Sequence, residues 1–325
     1  MFHGQMRLFC GNANPPLAEA IANELGTDLG DMKVGRFADG EVAVEVNESV
    51  RGMDVFVIQP TCRPVNENLM ELLVMLDAFK RGSAGRVVAV LPYYGYARQD
   101  KKAKGREPIS AKLVADLITQ AGADRVLAVD LHSDQIQGFF DIPVDHLPAR
   151  RIMAECFVGK GLCGDDVIVV APDPNATREA MEMADELHAT IGVVAKRRPR
   201  DNEVSVVEAI GELAGKRAIM LDDMIDTGGT MVQGARLLRE HGAAEVHCAA
   251  THAVLSEPAC ERLAQEVVDS VVMTDSIPIP SEKRLDKMEI LSLAPLLAEA
   301  IDNIHKDASV SAILANRATR QKRMF

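Results

Sequence analysis

The segment 218–230 combines two neighbouring carboxylates, a glycine pair and two threonines. An apolar stretch predicts a strand over 218–222 that ends in Asp222 and Asp223, and a helix is predicted to start at Thr230. Backbone N–H groups in a glycine turn at a helix N-terminus bind phosphate. The two carboxylates suit sugar hydroxyls or a metal ion, so the whole segment indicates a phosphorylated sugar.

A purely structural interpretation of the turn is a helix capped by Thr230, with the glycine pair supplying the bend. The spacing matches neither a P-loop nor a dinucleotide-binding fingerprint.

A second candidate is the loop 92–109, which is basic in an otherwise acidic chain. Its stretch 98–106 holds five cations and a single acid, Asp100. Such a loop is either a solvated surface or a mobile arm that closes on a triphosphate, with Gly95 and Gly105 as hinges.

Three shorter motifs could also do chemistry. Lys196-Arg197-Arg198 follows a predicted strand, 191–195, and cations there could stabilise charge on a moving phosphoryl group. His132 follows the predicted strand 125–130, and Asp39-Gly40-Glu41 predicts a turn.

Predicted strands and helices alternate along the chain, which is typical of parallel sheets joined by crossover helices. The strands are predicted at 7–10, 55–59, 86–91, 125–130, 166–171, 191–195, 218–222, 245–250 and 267–274. The helices are predicted at 16–25, 65–80, 110–120, 177–187, 230–241 and 294–305.

A strand–loop–helix–Gly-Ala–strand pattern occurs twice. The strand 86–91 resembles 217–222, and the helix 110–120 that precedes Gly122-Ala123 resembles 230–240 before Gly242-Ala243. The sequence therefore predicts two similar α/β halves, joined near 143–150, where Pro143 and Pro148 interrupt the pattern.

Composition narrows the functional classes. With 48 acidic and 36 basic residues, the net charge of −12 disfavours nucleic-acid binding through bulk charge. No apolar run is long enough to span a membrane, and no signal peptide is evident. The six cysteines lack C-x-x-C spacing, which favours a reduced, cytoplasmic protein without structural zinc.

The 222–230 segment resembles the phosphoribosyl-diphosphate motif of type I phosphoribosyltransferases and ribose-phosphate diphosphokinases. The runs 36–41, 92–100, 130–132 and 196–199 resemble the diphosphokinases specifically, and the likeness covers about residues 7–311. It implies two three-layer, phosphoribosyltransferase-like domains related by internal duplication. The expected bounds are 1–146, 147–308 and a tail, 309–325.

The resemblance implies transfer of the β,γ-diphosphate of ATP to the C1 hydroxyl of ribose 5-phosphate, giving phosphoribosyl diphosphate and AMP for nucleotide biosynthesis. It also implies Mg²⁺ as cofactor and a homo-oligomer, commonly a hexamer, with an ATP site shared between subunits. The implied roles are as follows: Lys196 is catalytic; Asp39, Gly40, Glu41, Arg98 and Gln99 bind ATP; Arg198, Asp222, Asp226, Thr227, Gly228, Gly229 and Thr230 bind ribose 5-phosphate; His132 and Asp173 contact the metal.

The sequence departs from the family pattern at 172–178, which is one residue short and lacks a glycine pair. Pro174 excludes the usual backbone path there. This departure favours one alternative, a catalytically weak regulatory member of the family. A second alternative is a phosphoribosyltransferase that consumes phosphoribosyl diphosphate, against which the duplicated halves and the 92–109 loop argue, because a transferase needs only one such half. The basic tail after Asp307 is expected to be solvated.

Overall fold

A computed structural model describes residues 4–197 and 206–313, which divide into two compact units. The first contains 4–148, 276–278 and 292–313; the second contains the described parts of 149–275 together with 279–291. The strands are β1 (Met6–Cys10), β2 (Met32–Arg36), β3 (Val42–Val46), β4 (Asp54–Ile58), β5 (Arg86–Leu91), β6 (Arg125–Val129), β7 (Val144–Leu147), β8 (Val167–Ala171), β9 (Thr190–Arg197), β10 (Val206–Ile210), β11 (Arg217–Ile225), β12 (Glu245–Ala253), β13 (Ser270–Thr274) and β14 (Met288–Leu291). The helices are α1 (Pro15–Glu24), α2 (Val65–Arg81), α3 (Ser110–Ala121), α4 (Arg150–Gly159), α5 (Thr177–Leu187), α6 (Gly229–Glu240), α7 (Ala259–Leu263) and α8 (Ala294–His305).

The first unit is built on a parallel sheet in the order β1-β4-β5-β6-β7, which is also the order of these strands along the chain. Its inner strands are continuous apolar runs because both faces of the sheet are covered. Helices α2 and α3 pack their apolar stripes on one face. Strands β2 and β3 form a separate antiparallel hairpin that packs on α2.

The second unit has a larger sheet, whose described strands follow the order β10-β9-β8-β11-β12-β13-β14. Strand β10 pairs antiparallel at the edge, and the other pairs are parallel. From β8 the chain moves outward to β9 and then returns to the other side of β8 as β11. Strand order therefore reverses between β8 and β11.

The repeated pattern found in the sequence occupies corresponding places in the two sheets. Strand β5 is followed by α3 and then by its neighbour β6, and β11 is followed by α6 and then by its neighbour β12. Gly122 and Gly242 follow the two helices with φ of 121° and 89°, a backbone region that favours glycine.

The division of the chain differs from the predicted one at two places. The stretch 143–150 is not a linker: its residues 144–147 form β7, a short strand whose flanking prolines hid it. Helix α8, which the predicted bounds assign to the second domain, belongs to the first unit and packs on α1. The sequence analysis also does not predict β2, β3, β10, β14 and α7, which have four or five residues each, or the ten-residue α4.

None of the described helices has the length and hydropathy needed to cross a membrane. The six cysteines are free thiols.

Candidate active site

Asp222 and Asp223 lie inside the last part of β11, not after it, since the strand continues to Ile225. On one side β11 pairs with β12 as far as Ile225, but its pairing with β8 stops at Met220. The β8 side of residues 221–225 is therefore open at the carboxyl edge of the sheet. This is the point where strand order reverses, the usual ligand crevice of open α/β sheets.

Burial and neighbouring charges raise the pKa of the Asp222 carboxyl to about 8. Burial is the largest cause, the charge of Asp223 follows, and Asp173 adds a smaller contribution. An Asp222 oxygen also accepts the Asp223 backbone N–H at 3.0 Å. The crevice thus concentrates negative charge, which a metal ion or sugar hydroxyls would relieve.

The turn after β11 leads straight into α6 and leaves its first N–H groups available. Gly228 is the N-cap residue, with φ of 69° and no side-chain capping hydrogen bond, and the helix begins at Gly229. The expected start at Thr230 is wrong by one residue, and Thr230 is not the cap, because a left-handed Gly228 turns the chain earlier. Uncapped N–H groups at a helix N-terminus are suited to an anion.

Helix α7 supports this turn from behind, a feature that the sequence did not predict. The Arg262 guanidinium donates to the Thr227 carbonyl at 2.9 Å, and a Cβ on Gly228 would lie 3.3 Å from the Ala259 carbonyl oxygen. Helix α7 has only five residues and gives little sequence signal. Arg262 lies 32 residues after Thr230 in the chain, so its contact with the turn depends on the fold.

The shortened segment 172–178 forms a 3₁₀ turn, Pro174–Ala176, directly after β8 and before α5. Asp173 is exposed, and its Oδ1 accepts the Ala176 N–H at 3.2 Å. Because its charge raises the pKa of Asp222, Asp173 lies close enough to share the same crevice.

Lys196 lies within β9, which continues two residues beyond the predicted strand end, and its backbone is in register with Val207 of β10. Strand β9 runs parallel to β8, so Lys196 lies toward the carboxyl edge that also carries Asp173. Arg198 lies outside the described residues.

In the first unit, Arg98 and Gln99 follow β5 at the carboxyl edge of its sheet. Both side chains are exposed, and Gln99 is held at the start of α3: its Oε1 accepts from Ser110 Oγ at 2.5 Å and its carbonyl accepts the Ala111 N–H at 3.2 Å. Gly95 is not an open hinge, because a Cβ there would lie 2.4 Å from the Thr61 carbonyl oxygen, whereas Gly105 has open space.

The remaining predicted residues of this unit are exposed at the same edge or on the hairpin. His132 follows β6, the neighbour of β5, after Asp130, whose φ of 35° marks a sharp bend. Asp39, Gly40 and Glu41 form the exposed turn between β2 and β3, where Asp39 Oδ1 accepts the Glu41 N–H at 3.1 Å.

These features define a class: an α/β protein with two parallel-sheet units, one of which carries paired acids and a glycine turn at a helix N-terminus where strand order reverses. The family model for the N-terminal domain of ribose phosphate pyrophosphokinase matches residues 6–122 of the sequence. The family model for the phosphoribosyl synthetase-associated domain matches residues 198–315.

Proteins similar to this chain match it over nearly its full length. The ribose-phosphate pyrophosphokinase of Caldanaerobacter subterraneus subsp. tengcongensis is 55% identical over 312 residues, covering 96% of this chain and 98% of that one. That of Clostridium acetobutylicum is 54% identical with the same coverage. The crystal structure of phosphoribosylpyrophosphate synthetase from Mycobacterium smegmatis superposes with a TM-score of 0.89 at 47% identity, covering 94% of this chain and all of that one. The chain belongs to the ribose-phosphate pyrophosphokinase family.

Proposed function

We propose that the chain transfers the β,γ-diphosphate of ATP to the C1 hydroxyl of ribose 5-phosphate, and that its two units contribute different groups. The observation that carries this proposal is the placement of Asp222 and Asp223 directly before an uncapped, glycine-built helix N-terminus at the strand-order reversal. Paired acids beside an anion cradle are suited to a phosphorylated sugar.

The sugar phosphate is assigned to the second unit. The N–H groups at Gly228, Gly229 and Thr230 receive the 5-phosphate, with Asp226 and Thr227 shaping the turn. Asp222 accepts hydrogen bonds from ribose hydroxyls, and Arg198 adds a cation. Holding the ribose by its phosphate and hydroxyls fixes the C1 hydroxyl in one place, which reduces the entropic cost of the transfer.

ATP is assigned to the first unit. The exposed Asp39–Glu41 turn offers a carboxylate and backbone groups for adenine, and Arg98 and Gln99 lie at the carboxyl edge beside β6. Lys196 is assigned to the transferring diphosphate, where a cation is most valuable because charge spreads over the group in the transition state.

The carboxylate oxygens at the crevice fit Mg²⁺, which prefers hard oxygen ligands and usually keeps waters and substrate phosphates in its coordination shell. Among the described residues, no group of three or more Asp, Glu, His or Cys side chains is placed to hold a metal ion. Asp173 and His132 are the assigned contacts. When bound, Mg²⁺ would neutralise charge on the triphosphate.

The proposal also includes assembly and location. An exposed Asp39–Glu41 turn is available to a second copy of the chain, in keeping with a homo-oligomer, and the resemblance favours a hexamer. Six free cysteines support a reduced, cytoplasmic setting. No nucleic acid or membrane is involved.

One observation favours a second candidate, a regulatory member of low activity: Asp173 is engaged by its own turn and stands on a shortened loop. AMP release from ATP plus ribose 5-phosphate, followed over a Mg²⁺ titration, separates the candidates. The diphosphokinase gives AMP and phosphoribosyl diphosphate in equal amounts. Absence of AMP at every Mg²⁺ concentration, with activity appearing once a Gly-Gly loop of family length replaces 172–178, would establish the regulatory candidate.

A further inference from the structure

A buried carboxylate in the first unit lies outside every residue assigned so far. Glu71, on α2, is only 3% exposed. An ionised side chain is costly to bury unless hydrogen bonds and an opposite charge compensate it. Its partners therefore indicate what the carboxylate is there to hold.

Four N–H donors surround the two Glu71 oxygens. Asn12, in the loop after β1, donates its backbone N–H at 3.2 Å and its side-chain amide at 3.1 Å. Gln59, which follows β4, donates at 3.0 Å. A Cβ on Gly11 would lie 2.4 Å from Gln59 Oε1, so a side chain there would displace the Gln59 amide. The carboxylate thus joins the ends of two neighbouring strands.

The fourth donor is Arg36, the last residue of β2, whose Nη2 lies 3.3 Å from Glu71 Oε1. The other terminal nitrogen of Arg36 lies 2.9 Å from Glu67 Oε2 and 3.5 Å from the Gly40 carbonyl oxygen. Arg36 therefore connects a buried anion beneath the sheet edge to the turn at residues 37–41.

The hairpin needs such a connection, since it is not hydrogen-bonded into the five-stranded sheet of its unit. Its packing on the core is apolar, through Met32, Val34, Val44 and Val46. Two further polar contacts hold it: Asn12 Nδ2 donates to the Val34 carbonyl at 3.3 Å, and Arg7 pairs with Glu48 just beyond β3. Apolar contacts are non-directional and tolerate small shifts. A hydrogen-bonded ion pair fixes direction as well as distance.

We propose that Glu71 is a positioning residue for ATP: through Arg36 it fixes the direction in which the Asp39–Glu41 turn projects from the first unit. This inference rests on the proposed function, which assigns that turn to adenine. Glu71 itself touches no substrate.

Glu67 provides a matched control, because it is the second carboxylate of the same arginine, on the same helix, but its side chain is 51% exposed. In purified full-length protein, we expect Glu71→Gln to raise the KM for ATP about tenfold, while the KM for ribose 5-phosphate changes less than about twofold. Glu67→Gln should change either KM less than about twofold, because exposed ion pairs contribute little.

The inference remains testable if Glu71→Gln does not fold, since the Arg36 side chain is partly exposed and can be changed instead. Arg36→Gln should raise the KM for ATP to the same extent, and Arg36→Lys should restore part of the loss. In the double variant the two effects should not add, because both break one contact.

Hydrogen exchange of the 32–46 amides gives a readout that does not depend on activity. Faster exchange there in Glu71→Gln and Arg36→Gln, but not in Glu67→Gln, supports the positioning role. Unchanged hairpin exchange or an unchanged KM for ATP in both variants overturns it, as does an equal rise for both substrates. A wild-type protein that releases no AMP instead contradicts the proposed function, and the exchange result then still decides the positioning of the hairpin.

Discussion

The two sheets differ in how the chain enters them. In the first unit, β1, β4, β5, β6 and β7 lie side by side in chain order. In the second unit the chain starts in the interior at β8, goes outward to β9, and returns to β11 on the other side. Only in the second unit do the connections that leave two neighbouring strands, β8 and β11, run in opposite directions. The crevice between these two strands contains Asp222 and the glycine turn at 227–229.

This difference explains how the same repeated strand–helix–strand pattern can carry two sorts of site. Beside β11 the partner strand β8 ends early, so the half-buried carboxylates of Asp222 and Asp223 lie beyond the last residue paired with β8 and line a crevice suited to a small ligand. Beside β5 the chain instead adds a long basic loop and a separate hairpin, which suit a larger, more highly charged ligand. The comparison predicts that substitutions in the two units affect different substrates.

The largest effect is expected for two cations, Lys196, assigned to the transferring diphosphate, and Arg198, assigned to ribose 5-phosphate. Lys196→Ala and Arg198→Ala should each lower kcat about a hundredfold or more, because they remove charge stabilisation from the transition state. Lys216→Ala is the matched control: Lys216 precedes β11 at the opposite edge of the same sheet, where its Nζ lies 2.9 Å from Thr190 Oγ1. Steady-state AMP release measures all three. Wild-type kcat in a folded Lys196→Ala protein would remove its assigned role.

A pair of substitutions, one in each unit, tests the division of substrates directly. Asp222→Ala should raise the KM for ribose 5-phosphate about tenfold or more with little change for ATP, and Gln99→Ala should do the reverse. Each variant loses hydrogen bonds to a different substrate, Asp222→Ala to ribose 5-phosphate and Gln99→Ala to ATP. Initial rates with each substrate varied in turn give the four constants. An Asp222→Ala effect confined to ATP would reverse the two assignments.

Much of this site could be predicted from the sequence because its signals are local. The phosphate turn, the basic loop and the Asp39–Glu41 turn each depend on residues that are neighbours in the chain, and the central strands are unbroken apolar runs. The comparisons confirm the predicted family and the predicted α/β fold class. They also confirm the predicted activity, because the relatives are ribose-phosphate pyrophosphokinases.

What the sequence could not supply depends on contacts between distant residues. Arg262 meets Thr227 across 35 positions, and Glu71 meets Arg36 across the same separation. Strand β7 was mistaken for a linker because four residues between prolines carry almost no periodicity, and α8 was assigned by chain order to the wrong unit. The order of β8, β9 and β11 has no signature in the sequence at all.

The pH dependence of stability tests whether burial and the neighbouring acids disfavour the ionised form of Asp222 in the crevice of the second unit. Since the pKa of Asp222 is raised to about 8 in the folded protein, its contribution to stability is present at low pH and is lost as pH rises through about 8. Asp222→Asn cannot ionise, so its unfolding free energy should gain on that of the wild type from about pH 4 to pH 8 and then stay level.

Urea unfolding of the metal-free wild type and Asp222→Asn at several pH values measures the difference between their unfolding free energies. Added Mg²⁺ should reduce that difference, because a bound cation favours the ionised Asp222 carboxylate. A difference that does not change with pH would mean that the carboxyl group titrates normally in the folded protein.

The smallest effect is expected at Arg262, which supports the phosphate turn through one hydrogen bond to the Thr227 carbonyl. Arg262→Met keeps an unbranched apolar side chain of similar reach but removes the donor, so the turn should become less rigid. A single hydrogen bond near the surface is worth about 0.5–1.5 kcal/mol, so we expect a rise of about threefold in the KM for ribose 5-phosphate and none for ATP. Arg236→Met is matched to it, because Arg236 donates from α6 to Gln265 just beyond α7, at 2.7 Å, without touching the turn. If both variants raise the KM equally, loosening of α6 against α7 is the cause and Arg262 has no specific role. A rise confined to Arg262→Met, at equal thermal stability of the two variants, assigns the effect to the turn itself.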